Sequence, residues 1–439
     1  MIRLIWDRLQ TTIWFIPALL ALAGVVSAVL LVNLDLRTDA AGWAWLDIFK
    51  IGKTGVRQVL SVTTGAMMTI TGVVFSVSVV TLTLAANQFG AKILRNYLSD
   101  SRNKAVLGLF VASFLYGLVV LASIDSDSSA PIPALAFMAS LILTLLAIAG
   151  LIYFIHNIST SIQADRLIAV IGANLSNTVS ATLAAPGEGA DTALLSEKWA
   201  LAVRGNAGVS VRADRSGYVE YIDYDALIEI ARRSQCAIDI HIRPGAFVIQ
   251  GNPVATVHAL GADTAVTAAD VNRHISLGTQ RTDVQDLEFS IMQLLQIAQR
   301  ALSPGINDSL TAISCIDWLS AALACMAERR FQAQYLTDAD NTVRLMIHAF
   351  DFAGATDAIF NPLRQNARGN EMVTIRLLEA IGAVMRVSCE RAYLQELRRH
   401  ADLIIRTAKA YFPDADDITE TERRHADCMA AFEHQLQEL

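Results

Sequence analysis

Four long apolar runs without a charged residue constrain the fold of this chain more than any other feature. They cover residues 11–32, 58–86, 105–124 and 132–155, and none of them contains Asp, Glu, Lys or Arg. A helix needs about 20 apolar residues to cross the hydrocarbon core of a bilayer. The sequence therefore predicts an α-helical integral membrane protein whose four transmembrane helices lie in residues 1–160.

Charge separates this membrane part from the rest of the chain. Residues 1–160 carry ten Lys or Arg and seven Asp or Glu, a net charge of +3. Subtraction from the whole-chain totals of 35 and 42 leaves 25 basic and 35 acidic residues in 161–439, a net charge of −10. An acidic water-soluble part argues against a nucleic-acid partner, because binding phosphates requires a basic surface. The predicted partner is the lipid bilayer.

Basic residues in the loops predict the orientation of the spans. Arg3 and Arg8 precede the first span, whereas the loop 125–129 after the third span has no basic residue. Four more basic residues lie between the second and third spans: Lys92, Arg95, Arg102 and Lys104. Because Lys and Arg are enriched on the cytoplasmic side, both termini are predicted to be cytoplasmic. The acidic outer loops, which include Asp35, Asp39, Asp125 and Asp127, would then mildly favour cations.

The basic loop between the second and third spans alternates apolar and basic residues. This pattern predicts a short amphipathic helix at the inner membrane surface, where Lys92, Arg95, Arg102 and Lys104 contact anionic lipid. Interfacial anchoring is one interpretation of this segment. The alternative is an element that couples the cytoplasmic part to the spans.

The second span has a face of small and hydroxylated residues. At 100° per residue these side chains fall within an arc of about 80°: Ser61, Gly65, Thr69, Gly72, Ser76 and Thr83. Branched apolar residues, such as Ile70 and Val74, occupy the opposite side. Small residues allow close helix packing in a bilayer, which makes a helix–helix seam one interpretation. The other is a pore wall, formed by several copies of this span around a wetted axis.

The soluble part is predicted to be α+β. Residues 161–198 form a helical linker, residues 199–270 a small β-barrel-like or sandwich-like domain, and residues 271–439 a helical bundle. The β region alternates with period two between turn residues, interrupted by a helix over Tyr224–Arg233. Its segment "RPGAFVIQGNPVA" resembles the barrel-sandwich repeat of biotinyl and lipoyl domains, but residues 200–260 contain no Lys to carry a prosthetic group. No cofactor is therefore predicted.

Helices in the last part are predicted from apolar periodicity. They cover residues 282–302, the segment from the next turn to about 328, and the ranges 341–352, 371–411 and 418–438. Three histidines, His400, His425 and His434, lie on polar faces without metal-ligand spacing, so solvated side chains and no metal site are predicted. The five cysteines are predicted to be buried reduced thiols.

A turn rich in Pro, Gly, Asn and Asp joins two of these helices. Pro304 and Gly305 suit a helix end, and Asn307 or Asp308 suits the N-cap of the next helix. A structural corner is the first interpretation. The alternative is a site for a ligand or a neighbouring subunit, because a helix N-terminus attracts anions. Its residues would be Arg300, Ser303, Gly305, Asn307 and Asp308.

Several segments in order along the chain resemble one family. They are "QFGAKILRNYLSD" after the second span, "SGYVEYID" and "RPGAFVIQG" in the β region, and "QRTDVQDLEFSIMQLLQIAQRALSPGINDSLTAISCIDWL" at the start of the helical part. The chain resembles the bacterial predicted membrane proteins catalogued as domain of unknown function twenty-two fifty-four. This resemblance implies a multispan protein of the bacterial inner membrane, and it supplies no catalytic residues.

Two functional hypotheses follow. The first is a homo-oligomeric channel or pore lined by the second span and regulated by the cytoplasmic domain. The second is a membrane-anchored sensor or scaffold that binds a protein partner or a small ligand without transport. An enzyme is not predicted. A polar site could be formed by charged residues that lie close together in sequence, namely Arg281, Asp283, Asp286 and Glu288. The alternative interpretation is that these charges belong to the first turn of a helix, where acidic residues are favourable.

Overall fold

The computed structural model describes residues 14–37, 52–89, 101–124, 132–161, 164–183, 192–206, 208–260, 266–282, 284–329, 331, 334–348 and 350–439. These residues are mostly helical, with a small region of β-sheet. The chain divides into two compact units, Met1–Gln163 and Ala164–Leu439. Each unit is described separately.

The first unit contains four long apolar helices. They are α1 (Phe15–Arg37), α2 (Lys53–Phe89), α3 (Ser101–Ser123) and α4 (Ala134–Ser161). Each coincides in large part with one of the four apolar runs in the sequence. Helix α3 contacts the other three and is the centre of this unit.

Close backbone contacts at glycines hold α3 in this central position. A Cβ atom added at Gly24 of α1 would lie 2.9 Å from the carbonyl oxygen of Ala112 in α3. A Cβ added at Gly108 would lie 3.0 Å from the Cα atom of Pro17. Gly117 is in similarly close contact with the hydroxyl of Thr64 in α2. Small residues thus bring the helix backbones together, as is usual in membrane helix packing.

Asp35 has a structural role that the sequence did not reveal. Helix α1 continues beyond the apolar run, and the Asp35 side chain is buried. Its carboxylate accepts hydrogen bonds from the backbone N–H groups of Leu135 at 3.2 Å and Ala136 at 3.0 Å. Asp35 therefore caps the N-terminus of α4. The prediction that it acts as an outer-loop carboxylate favouring cations is wrong, and Asp39, Asp125 and Asp127 lie outside the described residues.

The second unit begins with two helices and continues through two small sheets. The helices are α5 (Ala164–Thr182) and α6 (Thr192–Val203). The strands and intervening helices are β1 (Val209–Arg212), β2 (Gly217–Ile222), α7 (Tyr224–Arg233), β3 (Cys236–Ile240), β4 (Phe247–Val248), β5 (Pro253–Ala259), α8 (Ala268–Arg273) and β6 (Ile275–Gly278).

The remaining elements are mostly helical. They are α9 (Leu287–Ala301), α10 (Ser309–Ala327), β7 (Tyr335–Thr337), β8 (Val343–Ile347), α11 (Phe352–Asn366), α12 (Glu371–Met385), α13 (Arg391–Tyr411) and α14 (Ala415–Glu438). One sheet has the strand order β1-β5-β3-β8-β7, and the other β4-β2-β6. Residues from both sheets, such as Ile238 and Val219, share one apolar core.

The helix predicted over residues 341–352 is wrong. Residues 343–347 form strand β8, which pairs in parallel with β3, and α11 begins only at Phe352. The pairing places Leu345 beside Ile238 and Ile347 beside Ile240, so the alternate apolar side chains of β8 enter the shared core. A short apolar run fits a helix or a strand by periodicity alone, and here the neighbouring strand decides.

One further predicted helix is interrupted in the structure. The predicted helix over residues 371–411 is two helices, α12 and α13. Between them, the N–H of Cys389 donates to the carbonyl of Ala327, and Gln435 Nε2 donates to the carbonyl of Ser388. These tertiary hydrogen bonds satisfy the backbone where the helix is interrupted. Helix α7 has the predicted bounds, with Asp223 as its N-cap.

Candidate functional site

The small-residue stripe of α2, defined as Ser61, Gly65, Thr69, Gly72, Ser76 and Thr83, lies on an exposed face of the first unit. The side of α2 that packs against α3 is different and carries the buried residues Val56, Leu60, Met67 and Val74. A Cβ atom added at Gly65 or Gly72 would meet no described atom within 4 Å. Among the described residues of this unit, the stripe therefore does not form a helix–helix seam.

The threonines of the stripe bond to their own helix. Thr69 Oγ1 donates to the carbonyl of Gly65 at 3.1 Å, and Thr83 Oγ1 donates to the carbonyl of Val79 at 2.9 Å. Such bonds to the residue four positions earlier are common for hydroxyls in apolar helices. Because the hydroxyl proton is used within the helix, the oxygen lone pairs remain available on the exposed face.

A second exposed face of α2, the lipid-compatible face, lies next to the stripe. Its residues Val73, Val77 and Leu84 are 57%, 42% and 49% exposed, respectively, and they lie about 80–120° around the helix from the centre of the stripe. These side chains suit contact with lipid tails, which are equally apolar. The stripe differs from them because it offers hydroxyls and bare backbone.

The predicted lipid-contact cations are only partly described. Lys92 and Arg95 lie outside the described residues, as does most of the predicted amphipathic helix. Arg102 is exposed at the start of α3, whereas Lys104 is 3% exposed. The burial of Lys104 argues against the predicted contact with lipid headgroups. Beside it, Asn157 Nδ2 donates to Asn103 Oδ1 at 2.8 Å and ties α4 to α3.

The turn between α9 and α10 is held by local hydrogen bonds. Ser303 Oγ donates to the carbonyl of Arg300 at 2.6 Å, and Asn307 has a left-handed backbone with φ +50°. Asp308 is the N-cap of α10 and accepts from the N–H of Thr311 at 3.1 Å. Hydrogen bonds from the Thr311 side chain and backbone lower the pKa of Asp308. Arg300 and Gly305 are exposed.

This arrangement argues against the anion-site interpretation of the turn. The ionised carboxylate of Asp308 already lies at the helix N-terminus, where a bound anion would otherwise be stabilised. Asn370, the N-cap of α12, donates from Nδ2 to Ser309 Oγ at 2.7 Å, which joins the starts of two helices. The geometry is that of a structural corner.

The polar residues before α9 do come together. Arg281 makes a two-point contact with the Asp286 carboxylate, at 2.7 and 2.9 Å, and also donates to Glu288 at 3.2 Å. Arg243 donates to the same Glu288 oxygen at 3.1 Å. Burial raises the pKa of Asp286, and Arg281 opposes that shift. Gly245, with φ +83°, leaves room for this pair, so the group links the Pro-Gly turn to α9. Asp283 lies outside the described residues.

One histidine prediction is wrong. His400 is fully buried rather than solvated, and its ring lies 5.3 Å from that of Phe360. Burial, together with the nearby Arg399, lowers the pKa of His400 to about 4. Its Nε2 atom lies 3.3 Å from Asp357 Oδ1. A neutral histidine inside the helical bundle is the result.

All five cysteines are free, and three of them are buried: Cys236, Cys315 and Cys428. Burial raises the pKa of the Cys236 thiol to about 11, which keeps it protonated and unreactive. Cys389 is exposed, so the prediction of buried thiols does not hold for it.

A cluster that the sequence analysis missed lies at the end of the larger sheet. Asp239, His241 and His348 each direct one potential ligand atom toward the others, and these atoms all lie within 4.8 Å of one another. The signal in the sequence was Asp-x-His in "AIDIHI" and the final His of "RLMIH". The sequence would have predicted this cluster only if residues 343–347 had been assigned to a strand beside β3.

Comparison with known proteins identifies the family of this chain. The family described as "Predicted membrane protein (DUF2254)" matches residues 10–383. Similar proteins from Mycobacterium bovis and Mycobacterium tuberculosis strain H37Rv, both called uncharacterized proteins, are each 28% identical over 423 residues. That alignment covers 94% of this chain and 80% of each relative. No solved structure matches the chain. Because the family match includes the apolar helices, both sheets and the helices up to α12, the chain belongs to the DUF2254 family of predicted membrane proteins.

Proposed function

We propose that this chain is a four-span inner-membrane protein whose copies associate through the stripe of α2 and form a pore for small ions. The observation that carries the proposal is the exposed stripe. A Cβ atom added at either of its two glycines would meet no described atom of another helix within 4 Å. Both termini and the unit Ala164–Leu439 would lie in the cytoplasm, in accord with the basic loops.

Four spans are favoured over five. Five helices are long and apolar enough to cross a bilayer, and the fifth is α10. However, α10 carries Asp317, whose carboxylate lies 2.6 Å from Arg376, and Ser314, which donates to Asp165 at 3.4 Å. Its side chain Trp318 packs against Gly172 of α5. These polar partners suit a helix in the core of a soluble bundle, and the two sheets with their shared core suit a small sandwich-like domain beside it.

A second copy of the chain is the proposed occupant of the stripe. Four other glycines inside the apolar helices, Gly24, Gly108, Gly117 and Gly150, each have a neighbouring helix within van der Waals range of a Cβ atom. Gly65 and Gly72 are seven residues apart on one face, so they offer the same kind of close-packing surface. Rotational symmetry brings identical stripes together, and homo-oligomers of this kind are the commonest assemblies.

The hydroxyls of the stripe favour a narrow wetted axis between copies that pack closely at the glycines. Thr69 and Thr83 present hydroxyl oxygens whose protons are bonded within the helix, and Ser61 and Ser76 add two further hydroxyls to the same face. Several copies around an axis would form a column of oxygen atoms. Such oxygen-lined walls replace part of the hydration shell of an ion.

Reconstitution of the full chain into planar bilayers tests the proposal. We expect a conductance that Ser76→Phe reduces strongly, because the new ring would enter the axis. Val77→Phe, about 100° around the helix from Ser76 on the lipid-compatible face, is the matched control and should leave the conductance unchanged. Equal conductance in both variants would contradict the assignment of the stripe to the pore wall. A stable oligomer without conductance would instead favour the membrane-anchored scaffold or sensor.

A further inference from the structure

The cluster of Asp239, His241 and His348 is built by two parallel strands from distant parts of the chain. Asp239 lies in β3 and His241 directly follows it, whereas His348 directly follows β8. Because Ile240 and Ile347 are paired in register, the two histidines leave the sheet side by side, with ring centroids 6.2 Å apart. Residues i and i+2 of a strand share a face, so Asp239 lies on the same side as His241.

The carboxylate of Asp239 is the central group. Its Oδ1 atom is buried and has no hydrogen-bond partner among the described residues. His348 Nε2 lies 3.7 Å from this atom, and His241 Nδ1 lies 3.8 Å from Oδ2. These separations exceed hydrogen-bond length. A buried carboxylate oxygen without a partner is costly unless a cation or a donor satisfies it.

His241 is held in an orientation suited to a ligand. Its Nε2 atom lies 2.7 Å from the hydroxyl of Thr256 on β5. That contact leaves Nδ1 directed at Asp239. Histidines that bind metals usually engage their second ring nitrogen in such a hydrogen bond, which fixes the tautomer and the ring plane. Thr256 is paired with Asp239 in the sheet, so the support comes from the same strands.

We propose that Asp239, His241 and His348 form a binding site for a divalent transition cation of the Zn²⁺ type. Two imidazole nitrogens and one carboxylate suit Zn²⁺ and its neighbours, whereas Mg²⁺ and Ca²⁺ favour sites made of oxygen ligands. The side chain of His348 is 58% exposed and that of His241 34% exposed, which leaves an open side for water in the remaining coordination positions. The site is independent of the pore proposal.

Metal binding at this site would tie β8 to β3. The two strands come from residues 343–347 and 236–240, and the ligands at their ends come together only in the folded sheet. A cation that binds the folded chain and not the unfolded chain raises the stability of the folded state. Zn²⁺ should therefore increase the thermal stability of the second unit.

The test is calorimetric titration of the full chain in detergent with Zn²⁺ after removal of bound metal by a chelator. The variants are His348→Ala and Asp239→Asn, and His434→Ala is the matched control, because the His434 side chain is also exposed, at 74%. We expect one tight site per chain in the wild type and in His434→Ala. Each ligand variant should weaken that site by at least roughly tenfold, since loss of an outer-shell partner alone weakens metal sites by that much.

Two further measurements separate a site from loss of folding. Without metal, His348→Ala should have the melting temperature of the wild type, and Zn²⁺ should raise the melting temperature of the wild type and of His434→Ala but not that of His348→Ala. Mg²⁺ at the same concentration should cause no such rise. Failure of the wild type to bind Zn²⁺, or equally tight binding by His348→Ala and Asp239→Asn, would overturn the proposal.

Discussion

The two units of this chain differ in the kind of surface that they leave uncovered. In the second unit, most capping and ion-paired carboxylates have partners, as Asp308 has in Thr311 and Asp286 in Arg281, and Asp239 Oδ1 is an exception. In the first unit, the interior glycines are covered by neighbouring helices, but the stripe of α2 has no described neighbour. A face of small residues left open among the described residues supports the proposal that another copy of the chain contacts it.

The largest effect is expected from a bulky residue in the covered seam. Gly24→Leu would place its Cβ atom 2.9 Å from the backbone oxygen of Ala112, which cannot move aside. We expect a loss of about 3 kcal/mol or more in folding stability, because overpacking against backbone is poorly relieved. Fluorescence-detected size exclusion in detergent would record the loss of folded protein. Gly72→Leu is the control: it should fold normally, and equal damage by both substitutions would remove the distinction between the seam and the stripe.

Acid should affect the second unit through His400. Its folded pKa of about 4 lies below the ordinary value of 6.5, so the unfolded state binds the proton first as pH falls. The contribution of neutral His400 to the free energy of unfolding is complete above pH 6.5 and is lost as pH falls toward 4. The difference between the two pKa values corresponds to roughly 3 kcal/mol of that free energy. Denaturant unfolding across this pH range checks it, and His400→Leu should flatten the slope. An unchanged slope in that variant would contradict the assignment.

A smaller effect is expected from the tertiary cap in the first unit. Asp35→Ala removes the acceptor for two backbone N–H groups at the start of α4. Leaving buried donors unsatisfied costs about 1–3 kcal/mol. Thermal unfolding in detergent should show the loss, and Asp35→Asn should recover part of it because its side-chain oxygen still accepts. A melting temperature unchanged by Asp35→Ala would mean that this helix end is satisfied in another way.

The smallest effect is expected at the turn before α10. Asp308→Ala removes an N-cap, which typically costs about 1 kcal/mol. Chemical denaturation of the full chain measures this change, and Asp308→Asn or Asp308→Ser should restore most of the stability. If Asp308→Ala does not lower the stability, the capping role is contradicted, and the interpretation of the turn as a binding site is favoured instead.

The sequence predicted those features that depend on local pattern. The four apolar helices follow from runs of charge-free residues, and α7 from the periodicity of residues 224–233. Turn residues between the predicted strands were also recognised, and Gly245 among them has a positive φ.

The features that were missed depend on contacts between distant residues. Strand β8 exists because β3 provides a partner, and no periodicity within residues 343–347 distinguishes it from a helix. The Asp239 cluster was missed for the same reason, since His348 reaches it only through that strand. The burial of Asp35 and His400 likewise depends on helices far away in sequence.

The most direct measurement of the central claim is disulfide cross-linking between copies in the membrane. Cys325 and Cys389, the two native cysteines that are not buried, are first replaced by Ser, and a single cysteine is then introduced into α2. Ser76→Cys, in the stripe, is predicted to give cross-linked dimers on oxidation, whereas Val77→Cys, about 100° around the helix on the lipid-compatible face, is predicted to remain monomeric. Cross-linking through position 77 but not 76, or through neither, would contradict association through the stripe.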